Sequence, residues 1–307
     1  MTKQEEIQKL KEEKDAVILA HYYVRPEVQE IADFIGDSYF LGKKAVDLPH
    51  RTIVFCGVSF MGESAKLLNP AKTVLMPDAA ADCPMAHMVV RETVEQARAQ
   101  YEDLAVVCYI NSTAEIKSWS DVSVTSANAV RIVKNLPNKN ILFIPDKNLA
   151  RFVAENVPEK HFLYNEGFCP VHEHMRAEEI RELKEQHPGA RVLVHPECNH
   201  EVLAMADYIG STSGIIEYAT NSADTMFIIG TESGVRYALQ KARGDAQFFF
   251  PKTEPVCADM KRITLDKILD VLKNGGNEMR ISEGKMSDDT TTTAAKRTLT
   301  RMLELAR

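Results

Sequence analysis

The stretch AVILAHYYVRPEVQEIADFIGDSYFLGKKA (16–45) decides the fold, because the chain repeats its plan twice more. LAVVCYINSTAEIKSWSDVSVTSANAVRIV (104–133) and ARVLVHPECNHEVLAMADYIGSTSGIIEYA (190–219) carry the same order of features. Each opens on a short β-prone apolar run, followed by a polar or aromatic position and a helical segment. A second small apolar run and a Ser/Thr-rich turn close it. His21, Tyr109 and His195 fall 88 and 86 residues apart, and Ser38, Ser126 and Thr212 repeat both intervals. Two different landmarks with identical offsets mark an internal repeat.

The correspondence extends outward through each unit. TIVFCGVSF (52–60), NILFIPDKN (140–148) and TMFIIGTES (225–233) form a second set of buried-strand candidates, each running into a helical stretch. TVLMPDAAADCP (73–84), HFLYNEGFCP (161–170) and QFFFPKTEPVCADM (247–260) form a third, each ending in a loop with a cysteine. Cys83, Cys169 and Cys257 keep the 86 and 88 spacing. The apolar runs are nearly continuous and are separated by helical patterns, which predicts strands buried on both faces of a parallel sheet with helices as crossovers. Each unit reads as a βαβαβα layer, too small to bury much core alone. The expected fold is α/β: three homologous small domains with parallel sheets about a pseudo-threefold axis, spanning 16–103, 104–189 and 190–277. The alternative is one continuous doubly wound sheet.

Outside the repeats, residues 1–15 predict a leading helix in which Ile7 and Leu10 are the apolar positions. Residues 261–275 predict another, stopped by Gly275-Gly276. The tail 278–307 ends in a helix whose apolar face is Ala295, Leu299, Met302 and Leu303, with Ser and Asp from Ser287 onward available as caps. The four threonines 290–293 are weak helix material, and the stretch could equally be strand-like, a lid or a frayed start.

Composition excludes several classes. Of the 307 residues 45% are hydrophobic and 26% charged, a soluble globular balance. No uncharged run approaches the roughly 20 apolar residues of a membrane span. The charged start, MTKQEEIQKLKEEKD, lacks the apolar core of a secretion signal. A net charge of -7 without a basic block argues against a nucleic-acid partner. Six cysteines are too few for a disulfide scaffold and fit a reducing cytoplasm.

In parallel α/β layers ligands bind at the carboxyl ends of strands, and every repeated polar position falls at such an end. One cysteine from each unit, brought to a shared axis, supplies three corners of a tetrahedral sulfur site. A [4Fe–4S] cluster with one open iron and a three-cysteine zinc with bound water both remain open on the residues alone. Cys56 and Cys108 lie inside apolar strands and read as core, and Cys198 as core or as support for the site. His21, His172 and His195 sit in strand-end loops and are functional candidates. His50, His87, His161, His174, His187 and His200 are not. The turns GDS (36–38), TSAN (125–128) and GSTSG (210–214), each before a helix, can cradle anions with hydroxyls and free amides, or simply cap. Tyr23 and Tyr109 can donate to a substrate or cover it, and Glu197 is the best placed carboxylate base. No GxGxxG, P-loop lysine motif or HExxH is present.

The residues resemble the quinolinate synthase family, iron–sulfur enzymes of de novo NAD biosynthesis. The resemblance rests on AHYYxPEVQEIADFxGDS (20–38, with Val24-Arg25 filling the first gap), PDAAADCPMA (77–86), CYINSTAEIKSWSDVSVTSANA (108–129) and GFCPVH (167–172). HPEC (195–198), GSTSG (210–214), GTESG (230–234), VCADMK (256–261) and RMLEL (301–305) continue it in order over nearly the whole chain. It implies three α/β domains about a pseudo-threefold axis, one [4Fe–4S] cluster on Cys83, Cys169 and Cys257, and a cavity between the domains. It implies condensation of iminoaspartate with dihydroxyacetone phosphate to quinolinate, phosphate and two waters, with functional coupling to L-aspartate oxidase. Glu197 matches the acid/base. His21 and His195 are similar to substrate-binding histidines. Ser38, Ser126, Ser211 and Thr212 resemble the residues that hold carboxylate or phosphate oxygens. Tyr23, Tyr109 and Asn111 match residues that position the intermediate, and His172 matches the histidine after the second cysteine. Tyr22 departs from the asparagine that members often carry there, and EGKMSDDTTTTAAKR is less typical than the rest. Competing readings are an open-iron dehydratase of one hydroxy acid, a zinc-dependent lyase or aldolase, and a non-catalytic iron–sulfur sensor.

Overall fold

Three all-parallel, four-stranded sheets make up the protein, seen in a computed structural model that describes residues 2–281 and 289–306. The first sheet holds β1 (Ala16–His21), β2 (Phe34–Gly36), β3 (Thr52–Cys56) and β4 (Thr73–Leu75). The second holds β5 (Leu104–Tyr109), β6 (Val122–Val124), β7 (Asn140–Ile144) and β8 (His161–Tyr164). The third holds β9 (Arg191–Val194), β10 (Tyr208–Ile209), β11 (Met226–Gly230) and β12 (Gln247–Phe249). Strand order is the same in each: β2-β1-β3-β4, β6-β5-β7-β8 and β10-β9-β11-β12. Register repeats too, with Leu19 opposite Phe55, Val107 opposite Phe143 and Leu193 opposite Ile229. The fold is α/β with three small parallel-sheet layers.

Each unit has one strand more than the βαβαβα reading counted. The extra strand is the second small apolar run, only two or three residues long, at the sheet edge. So short a run has no periodicity of its own. It earns its place by pairing with the buried first strand, as Leu19–Phe34, Val107–Val122 and Leu193–Tyr208 show.

All six residues of β1 and of β5 are buried, which explains why their sequences do not alternate. The first unit and one face of the second sheet share one continuous core, the other face of the second sheet has its own cluster, and the two faces of the third sheet form two more. Helices stitch the ends together. The leading helix Lys3–Glu13 packs against Leu265–Asn274, which follows the third sheet, and Ile7, Ile268, Val271 and Leu272 enter the common core. Leu265–Asn274 stops at Gly275, whose φ of 70° suits glycine. The terminal helix Asp289–Leu305 lies on β6 and on the helices Ser59–Leu68 and Ala114–Ser118. Ala295, Leu299 and Met302 are buried there, Leu303 partly so, and Thr298 bonds to Ser123 at 2.8 Å. The four threonines are therefore helical, while the proposed caps at 287 and 288 lie outside the described residues. Among the described residues no helix is long and apolar enough to cross a membrane.

Candidate active site

The carboxyl ends of the first strands supply the site. His21 ends β1, Tyr109 ends β5, and His195 follows β9 directly. Side chains from all three units line one cavity of about 260 Å³, among them His21, Ser38, Tyr109, Ser126, His195 and Thr212. Cys83, Cys169 and Cys257 line the same cavity, as do Tyr23, Asn111, His172 and Glu197. Ser211 does not. Its hydroxyl accepts from the Gly214 N–H at 3.1 Å and caps the helix Thr212–Asn221.

At the centre, the Glu197 carboxylate is only 3% exposed. His172 Nδ1 lies 2.8 Å from its Oε2 and His195 Nδ1 lies 3.5 Å away. Burial alone pushes this carboxyl up. The flanking His195 and His172 rings, with hydrogen bonds from His172 and Tyr109, outweigh it and hold the group at about 2. Its other oxygen, Oε1, and the Asn111 Oδ1 are buried without a hydrogen-bond partner. A pair of unsatisfied acceptors beside a cavity is a place for donors on a ligand.

The histidines have defined tautomers. Burial, then the neighbouring His195, lowers His21 to about 3, and its Nδ1 accepts the Tyr23 N–H at 3.1 Å. His195 is held at about 3, chiefly by burial, and its Nδ1 accepts the Glu197 N–H at 3.3 Å. Both rings are therefore neutral near pH 7 with the proton on Nε2. His195 Nε2 lies 3.3 Å from Ser126 Oγ, and its ring stacks on His172 at 4.8 Å between centroids.

A chain of hydroxyls connects the units. Tyr23 OH sits 2.7 Å from Thr212 Oγ1 and 2.8 Å from Thr231 Oγ1, and Thr231 Oγ1 is 3.0 Å from His172 Nε2. Burial keeps the Tyr23 and Tyr109 phenols protonated, and the nearby Glu197 charge adds to the effect.

The three cysteines are unpaired thiols in equivalent turns. Each sulfur receives backbone N–H groups from two or three residues on: Met85 and Ala86 for Cys83, His172 for Cys169, and Met260 and Asp259 for Cys257. Burial nonetheless drives the thiols up, Cys257 to about 11, and Cys83 also feels the charges of Cys257 and Glu197. Thiols that gather N–H donors yet are too buried to ionise alone are suited to a cationic centre, which deprotonates its sulfur ligands. The donor set fits an iron–sulfur cluster held by three cysteines. Cys56, Cys108 and Cys198 are buried in the sheets' cores instead.

Supporting residues had not stood out individually. Glu232 is fully buried. It pairs with Lys261 Nζ at 2.8 Å and accepts the Cys257 N–H at 3.0 Å, while Lys261 Nζ also reaches Tyr23 O at 2.5 Å. Asn148 Nδ2 donates to Glu197 O at 3.0 Å, and Asp146 caps the helix Lys147–Asn156. A signal was available, because Asp146 and Glu232 stand 86 residues apart, the interval that separates Tyr109 from His195.

A family model described as quinolinate synthetase A protein matches residues 5–304. The chain is 51% identical to the quinolinate synthase of Clostridioides difficile over 91% of each chain. It is 48% identical to that of Caldicellulosiruptor bescii over 98% of this chain and 97% of the relative. It is 45% identical to that of Aquifex aeolicus over 99% and 94%.

Proposed function

The chain belongs to the quinolinate synthase family of enzymes, and we propose on that premise that it condenses iminoaspartate with dihydroxyacetone phosphate to give quinolinate, phosphate and two waters. The observation that carries this is the meeting, in one cavity, of three equivalent cysteines with a buried Glu197 flanked by His172 and His195. A [4Fe–4S] cluster on Cys83, Cys169 and Cys257, with one iron free of protein ligands, would supply a Lewis acid for a substrate oxygen or nitrogen.

The chain's own residues account for binding and proton movement. Ser38 and Thr212 open helices, so their hydroxyls lie next to unsatisfied backbone amides, an arrangement suited to phosphate and carboxylate oxygens. Neutral His21 and His195 offer Nε2–H donors without adding charge. Glu197 is ionised at neutral pH and can take an acidic proton from carbon or nitrogen beside the imine. His172, Thr231 and Tyr23 form the hydrogen-bonded route by which a proton can reach a departing hydroxyl. Enclosure keeps water from the imine. We extend the reading to functional coupling with an L-aspartate oxidase, and to a reducing cytoplasm in which the six unpaired cysteines stay thiols.

Anaerobic protein supplied with freshly generated iminoaspartate and dihydroxyacetone phosphate should form quinolinate and phosphate in equal amounts. Water loss from a single hydroxy acid, with no quinolinate, would replace this reading with a dehydratase.

A further inference from the structure

We propose that Glu232 and Lys261 are positioning residues for Tyr23: an ion pair of the third unit that fixes where this first-unit tyrosine stands in the cavity. The pair lies across the seam between the two units. Lys261 Nζ is 2.8 Å from Glu232 Oε1 and donates to Tyr23 O at 2.5 Å. Glu232 is fully buried and both its oxygens are engaged, Oε1 also by the Cys257 N–H at 3.0 Å and Oε2 by the Gly234 N–H at 2.7 Å. The lysine is thus tied to a carboxylate that is itself pinned by two backbone groups, and it carries that fixed point to the Tyr23 backbone.

Tyr23 is gripped at both ends by consecutive residues of the third unit. Thr231 meets its phenol oxygen at 2.8 Å, and Glu232 sets its carbonyl through Lys261. A hydroxyl that passes a proton must be placed to within about 0.5 Å, and two anchors on one residue supply that constraint. The rest of the seam tightens the grip. Gln29 Nε2 lies 2.8 Å from Tyr22 O and 3.1 Å from Gly234 O, and Arg25 Nε donates to Lys261 O at 2.7 Å. A Cβ at Gly234 would stand 2.7 Å from Lys261 Nζ and 2.8 Å from Tyr22 O, so glycine is what admits the lysine here.

The repeat separates this role from the building of the cysteine turns. Four residues after each cysteine stand His87, Glu173 and Lys261. The His87 side chain pairs with Asp82 and that of Glu173 with Lys147, each within its own unit, whereas the Lys261 side chain crosses to the first. Asp146, the counterpart of Glu232, leaves its Oδ2 buried without a hydrogen-bond partner. The cation is therefore an addition of the third unit, made where Tyr23 has to be held.

The effect on turnover rests on the reading of Tyr23 as part of the proton route; the placement of the ring does not, so the test has two arms. In the first, full-length protein carrying 3-fluorotyrosine is examined by ¹⁹F NMR, with the Tyr23 signal assigned by its loss in Tyr23→Phe. Lys261→Met should shift or broaden that signal and leave those of Tyr101 and Tyr164 in the second unit unmoved. It should also lower the urea midpoint, because it strands a buried carboxylate. Adding Glu232→Gln should restore much of the midpoint but not the Tyr23 signal, which separates placement from stability. In the second arm, anaerobic turnover per bound iron should fall about ten- to a hundredfold in Lys261→Met with KM little changed. In a Tyr23→Phe background the same substitution should add less than about twofold, as expected of residues acting through one another. If circular dichroism shows that Lys261→Met does not fold, Lys261→Gln, one bond shorter, carries the same expectations. A Tyr23 signal unmoved by the substitution, or restored together with the midpoint in the double variant, would overturn the proposal, as would a full multiplicative loss in the Tyr23→Phe background. A parent that makes no quinolinate would overturn the reading of the reaction and leave the ¹⁹F arm to decide the placement.

Discussion

Glu197 illustrates how a residue three positions past a buried strand is held facing a cavity. Its backbone is fixed by Asn148 and its carboxylate by His172, so the charge stays in the cavity at a defined place. Glu197→Gln keeps size and hydrogen bonding but removes the proposed base. Turnover should fall by about 10² or more, while iron content and product affinity persist, as anaerobic steady-state assays and metal analysis on one sample would show. His21 yields a pH prediction. Its folded value near 3 lies below the unfolded 6.5, so between these values the unfolded chain binds more protons and stability falls as pH drops. Buried carboxyls pushed upward, Glu63, Asp146 and Glu232, oppose this in the whole chain. The comparison with His21→Gln separates them. The parent's urea midpoint, relative to the variant's, should decline from pH 7 to pH 5; a constant difference would mean that the ring is not held neutral by the fold.

At the scale of elements, the starts of helices do two jobs that sequence cannot separate. Ser211 and Thr212 are adjacent, yet the first caps its helix and the second faces the cavity with its hydroxyl on Tyr23. Ser211→Ala should cost about 1 kcal/mol of stability, the worth of a cap, and leave product affinity nearly unchanged. Ser126→Ala or Thr212→Ala should weaken triose phosphate or product binding roughly 10- to 100-fold, the value of about 1.5–3 kcal/mol for a hydrogen bond to a charged group. Calorimetry on the three variants separates the roles, and unchanged binding in both Ser126→Ala and Thr212→Ala would assign those hydroxyls to capping alone. The strands divide in the same way. β1, β5 and β9 are legible because burial, complete in β1 and β5 and broken in β9 only at Arg191, writes a continuous apolar run. β2, β6 and β10 are not legible as strands, because two or three residues carry no period and are strands only by virtue of their neighbours.

For the molecule as a whole, the repeat made the arrangement readable. Equivalent positions recur at 88 and 86 residues, and the cavity gathers them from all three units. What the repeat left unread are the contacts that differ between units: Thr231 joining Tyr23 to His172, Lys261 reaching Tyr23 from the third unit, and Asn148 holding Glu197. Each depends on partners far apart in sequence, so no local pattern announces it. The central claim is that the three equivalent cysteines hold one cluster. Iron and acid-labile sulfide per chain, measured after anaerobic purification of the parent and of the Cys83→Ser, Cys169→Ser and Cys257→Ser variants, test it most directly. The account predicts four iron and four sulfide per chain in the parent. It predicts loss of the cluster in each of the three variants, and a full complement in Cys56→Ala and Cys108→Ala. A parent that holds zinc without sulfide under careful anaerobic handling, or a cluster that needs a fourth cysteine, would contradict it.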